Sequence, residues 1–162
     1  MKPDTYIIAN VGAKGALCHD VEDKMTGEYK HSIDAKGRLI VPSQLRRELG
    51  ELCFVTLSMD KCLCVYSAES WDQFRAKVDA LPMSQSRRMR VVFANTAACE
   101  PDAQGRILIP QKLRDIAGIK KDVTVIGFSN HAEIWDSEEY EKLEAEELTL
   151  ENISAAMEGL GI

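Results

Sequence analysis

Hydrophobic positions in this chain come in short runs closed by glycine, proline or small polar residues. Tyr29 to Ile33 and Arg38 to Val41 are β-rich and are separated by a loop containing Ala35, Lys36 and Gly37. The pattern predicts two short strands joined by a hairpin-like turn, with Gly37 supplying the positive φ that a tight connection needs. Pro42 favours a helix start, Leu45 and Leu49 stand at i and i+4, and Gly50 sits where a C-terminal glycine cap belongs, so a two-turn helix follows. Phe54 to Leu57 and Leu63 to Tyr66 read as apolar strands about the turn Met59-Asp60-Lys61. Ser67 is then the N-cap of a longer helix running through Trp71, Phe74 and Val78.

The same order of elements returns further along. Asp34 to Gly50 aligns without gaps on Asp102 to Gly118, with eight identities in 17 positions at an offset of 68 residues. With one residue inserted, Val65 to Trp71 then matches Ile134 to Tyr140. Val123 to Phe128 and Ile134-Trp135 take the strand positions; Asp136, with Glu139 three residues on, takes the N-cap, and Tyr140 and Leu143 the helix. The chain therefore reads as a tandem duplication, with repeats at 25–81 and 82–147 meeting at Leu81-Pro82. Met89, Val92 and Phe93 mark one face of a helix opening the second repeat, and Arg87, Arg88 and Arg90 its other side, a solvated face or an interface in preference to an auxiliary phosphate patch. Residues 1–24 form an N-terminal extension expected to be poorly ordered, and residues 148–162 a C-terminal tail.

Composition narrows the class. The chain has 162 residues, 45% of them hydrophobic and 28% charged, and no apolar run approaches the roughly 20 residues that span a bilayer. Disordered and membrane-spanning classes are excluded, and no secretory signal is visible, so a cytoplasmic location is expected. The net charge of −6 is unevenly spread: Glu133 to the C-terminus carries −9, which leaves +3 on residues 1–132. Cys18, Cys53, Cys62, Cys64 and Cys99 lack paired C-x-x-C spacing and read as buried thiols, and His19, His31 and His131 share no ligand spacing, so no metal site is expected. The glycines of Val11 to Gly15 lack phosphate-loop spacing. Trp71, Trp135 and Tyr140 read as packing residues.

Neither a general acid/base pair nor a nucleophile with its base recurs in both repeats, so the chain reads as no enzyme, with no cofactor and no small-molecule substrate. What recurs is D-x-x-x-R: Asp34 with Arg38, and Asp102 with Arg106, each across a loop closed by Gly37 or Gly105. Such a carboxylate can accept loop amide hydrogens while fixing the guanidinium. In a single copy this reads as a structural ion pair at a turn. Duplicated, it reads as two arginine forks held ready for phosphate oxygens or for guanine O6 and N7, with Lys36 adding a phosphate contact and Gln104 a hydrogen-bonding equivalent.

Gly27 to Pro42 and Asp102 to Pro110 resemble the two signature segments of the MraZ family of bacterial transcriptional regulators, and the resemblance spans roughly residues 25 to 147. It implies an α+β fold: tandem AbrB-like units of the swapped-hairpin SpoVT type, two homologous halves forming one β-barrel flanked by helices. It further implies a ring-like homo-oligomer bound to repeated elements of double-stranded promoter DNA. The regulator would be a nucleoid-associated repressor of a division and cell-wall gene cluster that includes its own promoter. Carried onto this sequence, Arg38 and Arg106 are the DNA-binding arginines, Asp34 and Asp102 their orienting partners and Lys36 a phosphate contact without an equivalent in the second loop; the loop chemistry itself adds Gln104 to the DNA-binding set and Gly37 and Gly105 to the loop-orienting one. One small pair of loops neutralises few phosphates, so avidity in an oligomer belongs to the mechanism. The acidic C-terminal helix is expected to lie away from the DNA. The competing readings are an oligomeric scaffold without DNA and an AbrB-type antitoxin.

Overall fold

The structure, a computed structural model, describes residues 24–162. The expectations for the N-terminal extension, the Val11 to Gly15 loop, Cys18 and His19 lie outside the described residues, Lys24 excepted. The strands are β1 (Glu28–Ser32), β2 (Arg38–Ile40), β3 (Cys53–Leu57), β4 (Cys62–Ser67), β5 (Ala97–Cys99), β6 (Arg106–Leu108), β7 (Asp122–Phe128) and β8 (His131–Asp136). The helices are α1 (Ser43–Leu49), α2 (Ala68–Asp79), α3 (Met83–Ser86), α4 (Arg90–Ala94), α5 (Gln111–Ala117), α6 (Ser137–Glu147) and α7 (Leu150–Glu158), with a 3-10 turn at Arg87–Met89.

Six strands form one antiparallel sheet in the order β1-β7-β8-β4-β3-β5, and β2 pairs with β6 in a separate two-stranded ribbon. Exchanging each strand for its counterpart in the other repeat reverses this order onto itself. A pseudo-twofold axis therefore passes between β4 and β8 and between β2 and β6. The register repeats too, with His31 opposite Val123 at one end of the sheet and Cys99 opposite Cys53 at the other.

Two expectations are corrected here. The turn from Asp34 to Arg38 is hairpin-like as expected, with Gly37 at φ 84°, the Asp34 amide donating to the Arg38 carbonyl at 2.9 Å and a bridge between Ile33 and Leu39, but the strands it joins do not go on to pair with each other: β1 joins β7 and β2 joins β6. A hairpin alone has too little apolar face to be stable in water. Crossing to the other repeat places Leu39, Val41, Ile107 and Ile109 in one shared core with Leu45, Leu63, Val65, Val123, Val125 and Ile134. The six-stranded sheet is also open, with β1 and β5 as its edges, where the resemblance implied a closed barrel.

Leu39 and Ile107 are 1% exposed and face each other in the ribbon. Truncating either to alanine would cost about 2–5 kcal/mol and loosen the ribbon from the sheet. The opposite face of the sheet is covered by α2, whose Trp71 stacks on Phe54 of β3 at 5.4 Å between ring centres and on Phe74 of its own helix at 5.1 Å. Ser67 caps α2 by accepting the Ser70 amide at 3.1 Å, and Asp136 caps α6 by accepting that of Glu138 at 3.2 Å. The single helix expected around Met89 is broken into α3, the 3-10 turn and α4, leaving Arg87, Arg88 and Arg90 exposed. The stretch after Leu148 holds α7, capped by Thr149, with Leu150, Ile153 and Met157 exposed. Among the described residues no helix is long and apolar enough to cross a membrane.

Candidate nucleic-acid interface

The two D-x-x-x-R loops precede β2 and β6 and are built alike. Asp34 Oδ1 accepts the amides of Lys36 and Arg38, each at 2.9 Å, while Oδ2 accepts Arg38 Nε at 2.7 Å. In the second loop Asp102 Oδ1 accepts the amides of Gln104 at 2.9 Å and Arg106 at 3.0 Å, and Oδ2 accepts Arg106 Nε at 2.7 Å. The Arg38 and Arg106 amides foremost, then the guanidiniums and the Lys36 and Gln104 amides, hold both carboxyls below the usual carboxylate range. Each aspartate engages only the Nε edge of its arginine, and among the described residues no hydrogen bond takes up the terminal nitrogens of either fork.

Alternation along the ribbon decides where these side chains go. Leu39 and Ile107 point into the core, so Arg38, Ile40, Arg106 and Leu108 share the outer face, with Arg38 opposite Leu108 and Ile40 opposite Arg106. Both arginines line one open groove of about 760 Å³, together with Asp34, Gln104, Arg114, Lys120 and Lys121. Lys36 is exposed at the tip of the first loop.

Each loop is braced by an arginine that the sequence reading did not single out. Arg114 donates through Nε to the Ile109 carbonyl at 3.0 Å, and Arg46 through its terminal nitrogen to the Val41 carbonyl at 3.0 Å. Their guanidiniums lie where a side chain on the loop glycines would have to go: a Cβ at Gly37 would come within 2.7 Å of Arg114, and one at Gly105 within 2.3 Å of Arg46. Gly37 and Gly105 also adopt φ of 84° and 76°, so both positions need glycine for conformation and for space. Each bracing arginine thus reaches from its own repeat to the loop of the other. Backbone bonds repeat the exchange, Ile109 donating to the Gly37 carbonyl and Val41 to that of Gly105, both at 2.9 Å. The signal was present in the alignment, where Leu45-Arg46 coincides with Leu113-Arg114.

The surroundings of the two loops differ. The connection leading into β7 is longer than the one leading into β3 and carries Lys120 and Lys121, which line the groove shared by Arg38, Arg106 and Gln104; a separate groove against Asp102 and Gly105 of the second loop is lined by Glu51 and Glu100. The acidic helix α6 pairs with two lysines of this region. Its Glu141 pairs with Lys30 at 3.0 Å and its Glu138 with Lys120 at 3.1 Å, beside the first-loop groove. The cysteines within the described residues are buried free thiols, and burial pushes Cys53 and Cys62 up to about 12 and Cys99 to about 11. Trp71 and Trp135 are buried.

A fold made of two reciprocally paired repeats, each presenting one aspartate-anchored arginine loop on a common ribbon, defines a class of single-chain, pseudo-symmetric proteins. Residues 25–91 and 92–160 each match the family described as "MraZ protein, putative antitoxin-like". The chain is 46% identical over 140 residues to the transcriptional regulator MraZ of Acetivibrio thermocellus, covering 84% of this chain and 98% of that protein. It is 43% and 44% identical over 142 residues to those of Caldicellulosiruptor bescii and Caldicellulosiruptor saccharolyticus, covering 85% of this chain and 99% of each relative. The chain belongs to the MraZ family of transcriptional regulators.

Proposed function

We propose that the chain is a sequence-specific DNA-binding regulator that represses a division and cell-wall gene cluster, its own promoter included, by binding repeated promoter elements as a homo-oligomer at the nucleoid. The observation that carries this reading is the outer face of the β2/β6 ribbon, where Arg38 and Arg106 stand diagonally across from one another, opposite Leu108 and Ile40, with one edge of each fork tied to aspartate. A two-stranded ribbon fits the major groove of B-DNA, and an arginine fork matches O6 and N7 of guanine, each such pair giving about 1–3 kcal/mol of discrimination. Ile40 and Leu108, exposed beside the arginines, suit contact with thymine methyl groups. Lys36, Lys120 and Lys121 supply phosphate contacts around the first loop. The exposed apolar residues of α7 support self-association, which multiplies weak single contacts.

Binding of the native promoter fragment and of a scrambled duplex at rising salt tests the reading, with molecular mass followed by light scattering. The wild type prefers the promoter, and the double variant Arg38→Ala with Arg106→Ala loses that preference at unchanged mass. A double variant that binds like wild type would overturn the DNA-reading role, and a wild-type oligomer without DNA affinity would favour a scaffold.

A further inference from the structure

Across the axis between the repeats, β4 and β8 bring together three side chains that lie far apart in the chain. Cys64 stands directly opposite Glu133, and His131 lies one same-face pair further along, opposite Tyr66. A sulfur, an imidazole nitrogen and a carboxylate oxygen, one from each, all lie within 4.8 Å of one another. His131 Nε2 is 3.6 Å from Glu133 Oε1. Two ligands bound about 2.0–2.1 Å from one ion at a tetrahedral angle would be roughly 3.3 Å apart, so small side-chain rotations suffice.

The remaining polar atoms of the cluster are already engaged. His131 Nδ1 lies 3.0 Å from Asn130 Oδ1; a proton on Nδ1, donated to that amide oxygen, leaves the Nε2 lone pair for the cluster. Trp135 Nε1 donates to Glu133 Oε2 at 2.8 Å, which leaves Oε1 for the cluster. Such outer hydrogen bonds are what orients imidazole and carboxylate ligands in metal sites. The imidazole is further fixed by the Phe128 ring, stacked at 5.2 Å, and by Tyr66 at 5.1 Å. The side chains of His131 and Glu133 remain 15% and 14% exposed, which leaves room for a water molecule as a fourth ligand.

We propose that Cys64, His131 and Glu133 bind a divalent transition-metal ion, zinc by the chemistry of the set. Thiolate and carboxylate together balance the charge of the ion, and thiolate with imidazole selects a borderline-soft metal over calcium or magnesium. One ligand comes from the first repeat and two from the second, so the ion would clip the halves together. The inference does not depend on DNA binding.

The test uses the full chain, stripped of metal by a chelator and kept reduced by a non-thiol reductant. Titrated cobalt(II) should produce a thiolate-to-metal charge-transfer absorption that saturates at one equivalent and is abolished by added zinc. Zinc at about a hundredfold above its Kd should raise Tm by roughly 5–10 °C. Cys64→Ser should abolish the absorption, and His131→Gln and Glu133→Gln should each weaken cobalt binding by at least roughly tenfold, as loss of even an outer-shell partner does. Absence of the absorption in the wild type, its persistence in Cys64→Ser, or undiminished binding in both His131→Gln and Glu133→Gln would overturn the site. Should Cys64→Ser fail to fold, the other two variants, at partly exposed positions, decide the matter.

Discussion

At the first loop the aspartate-to-arginine contact measures 2.7 Å, and at the second it measures 2.7 Å; the amide contacts agree equally well. Charge does not follow geometry. The first loop has Lys36 at its tip and the second Gln104; Lys120 and Lys121 line the groove that Arg38 and Arg106 share, while Glu51 and Glu100 line a separate groove against the second loop alone. The loop geometry is the same in both repeats, and the charge around it is not. The two loops are therefore equal as structure and unequal as partners for a polyanion.

The sharpest way to break that contrast is to remove the forks one at a time. Arg38→Ala should cost about 2–3 kcal/mol of promoter binding and Arg106→Ala about 1–2 kcal/mol, within the range for single base contacts, as read from Kd at fixed salt. Equal or reversed losses would mean that the flanking charges do not reach the DNA. Stability should show the opposite behaviour. Gly37→Ala and Gly105→Ala each force a positive φ and a clash with a bracing guanidinium, so each should lower unfolding free energy by about 1–2 kcal/mol in urea titrations, and by similar amounts.

A smaller effect separates tip charge from fork. Gln104→Lys should steepen the slope of log K against log salt by about 0.9 and Lys36→Gln should flatten it by as much, with base preference unchanged. The smallest effect concerns pH. Both loop carboxyls are held below the usual carboxylate range, so their contribution to stability is present above the unfolded-state pKa and is lost only as pH falls through the lower folded value. Carboxyl-carbon NMR titration should place Asp34 and Asp102 together, both below the ordinary aspartate range. A clear separation between the two would show that the loops are not equal as structure after all.

Much of this was legible in the sequence because it is local. The alignment of Asp34 to Gly50 with Asp102 to Gly118 placed both loops, and Ser67 and Asp136 announced the starts of α2 and α6 as hydroxyl and carboxylate caps do. Strand periodicity, by contrast, tells which face a residue occupies and is silent on which strand lies alongside. The run from Tyr29 to Val41 therefore reads as a hairpin although its two strands join the other repeat. The same silence hid the convergence of Cys64 with His131 and Glu133, which exists only through the β4/β8 register. Arg46 and Arg114 went unnoticed for a different reason: composition counts an arginine as charge, while these two act as rigid packing surfaces against glycine.

Joining both repeats in one polypeptide has an evolutionary consequence. In an assembly of two identical chains, any change at one tip appears at its twin, and the pair is bound to read palindromes. Here position 36 holds a lysine and its counterpart, position 104, a glutamine. A molecule so constituted has a head and a tail, and on the proposed function each subunit can lie along its operator in a single direction.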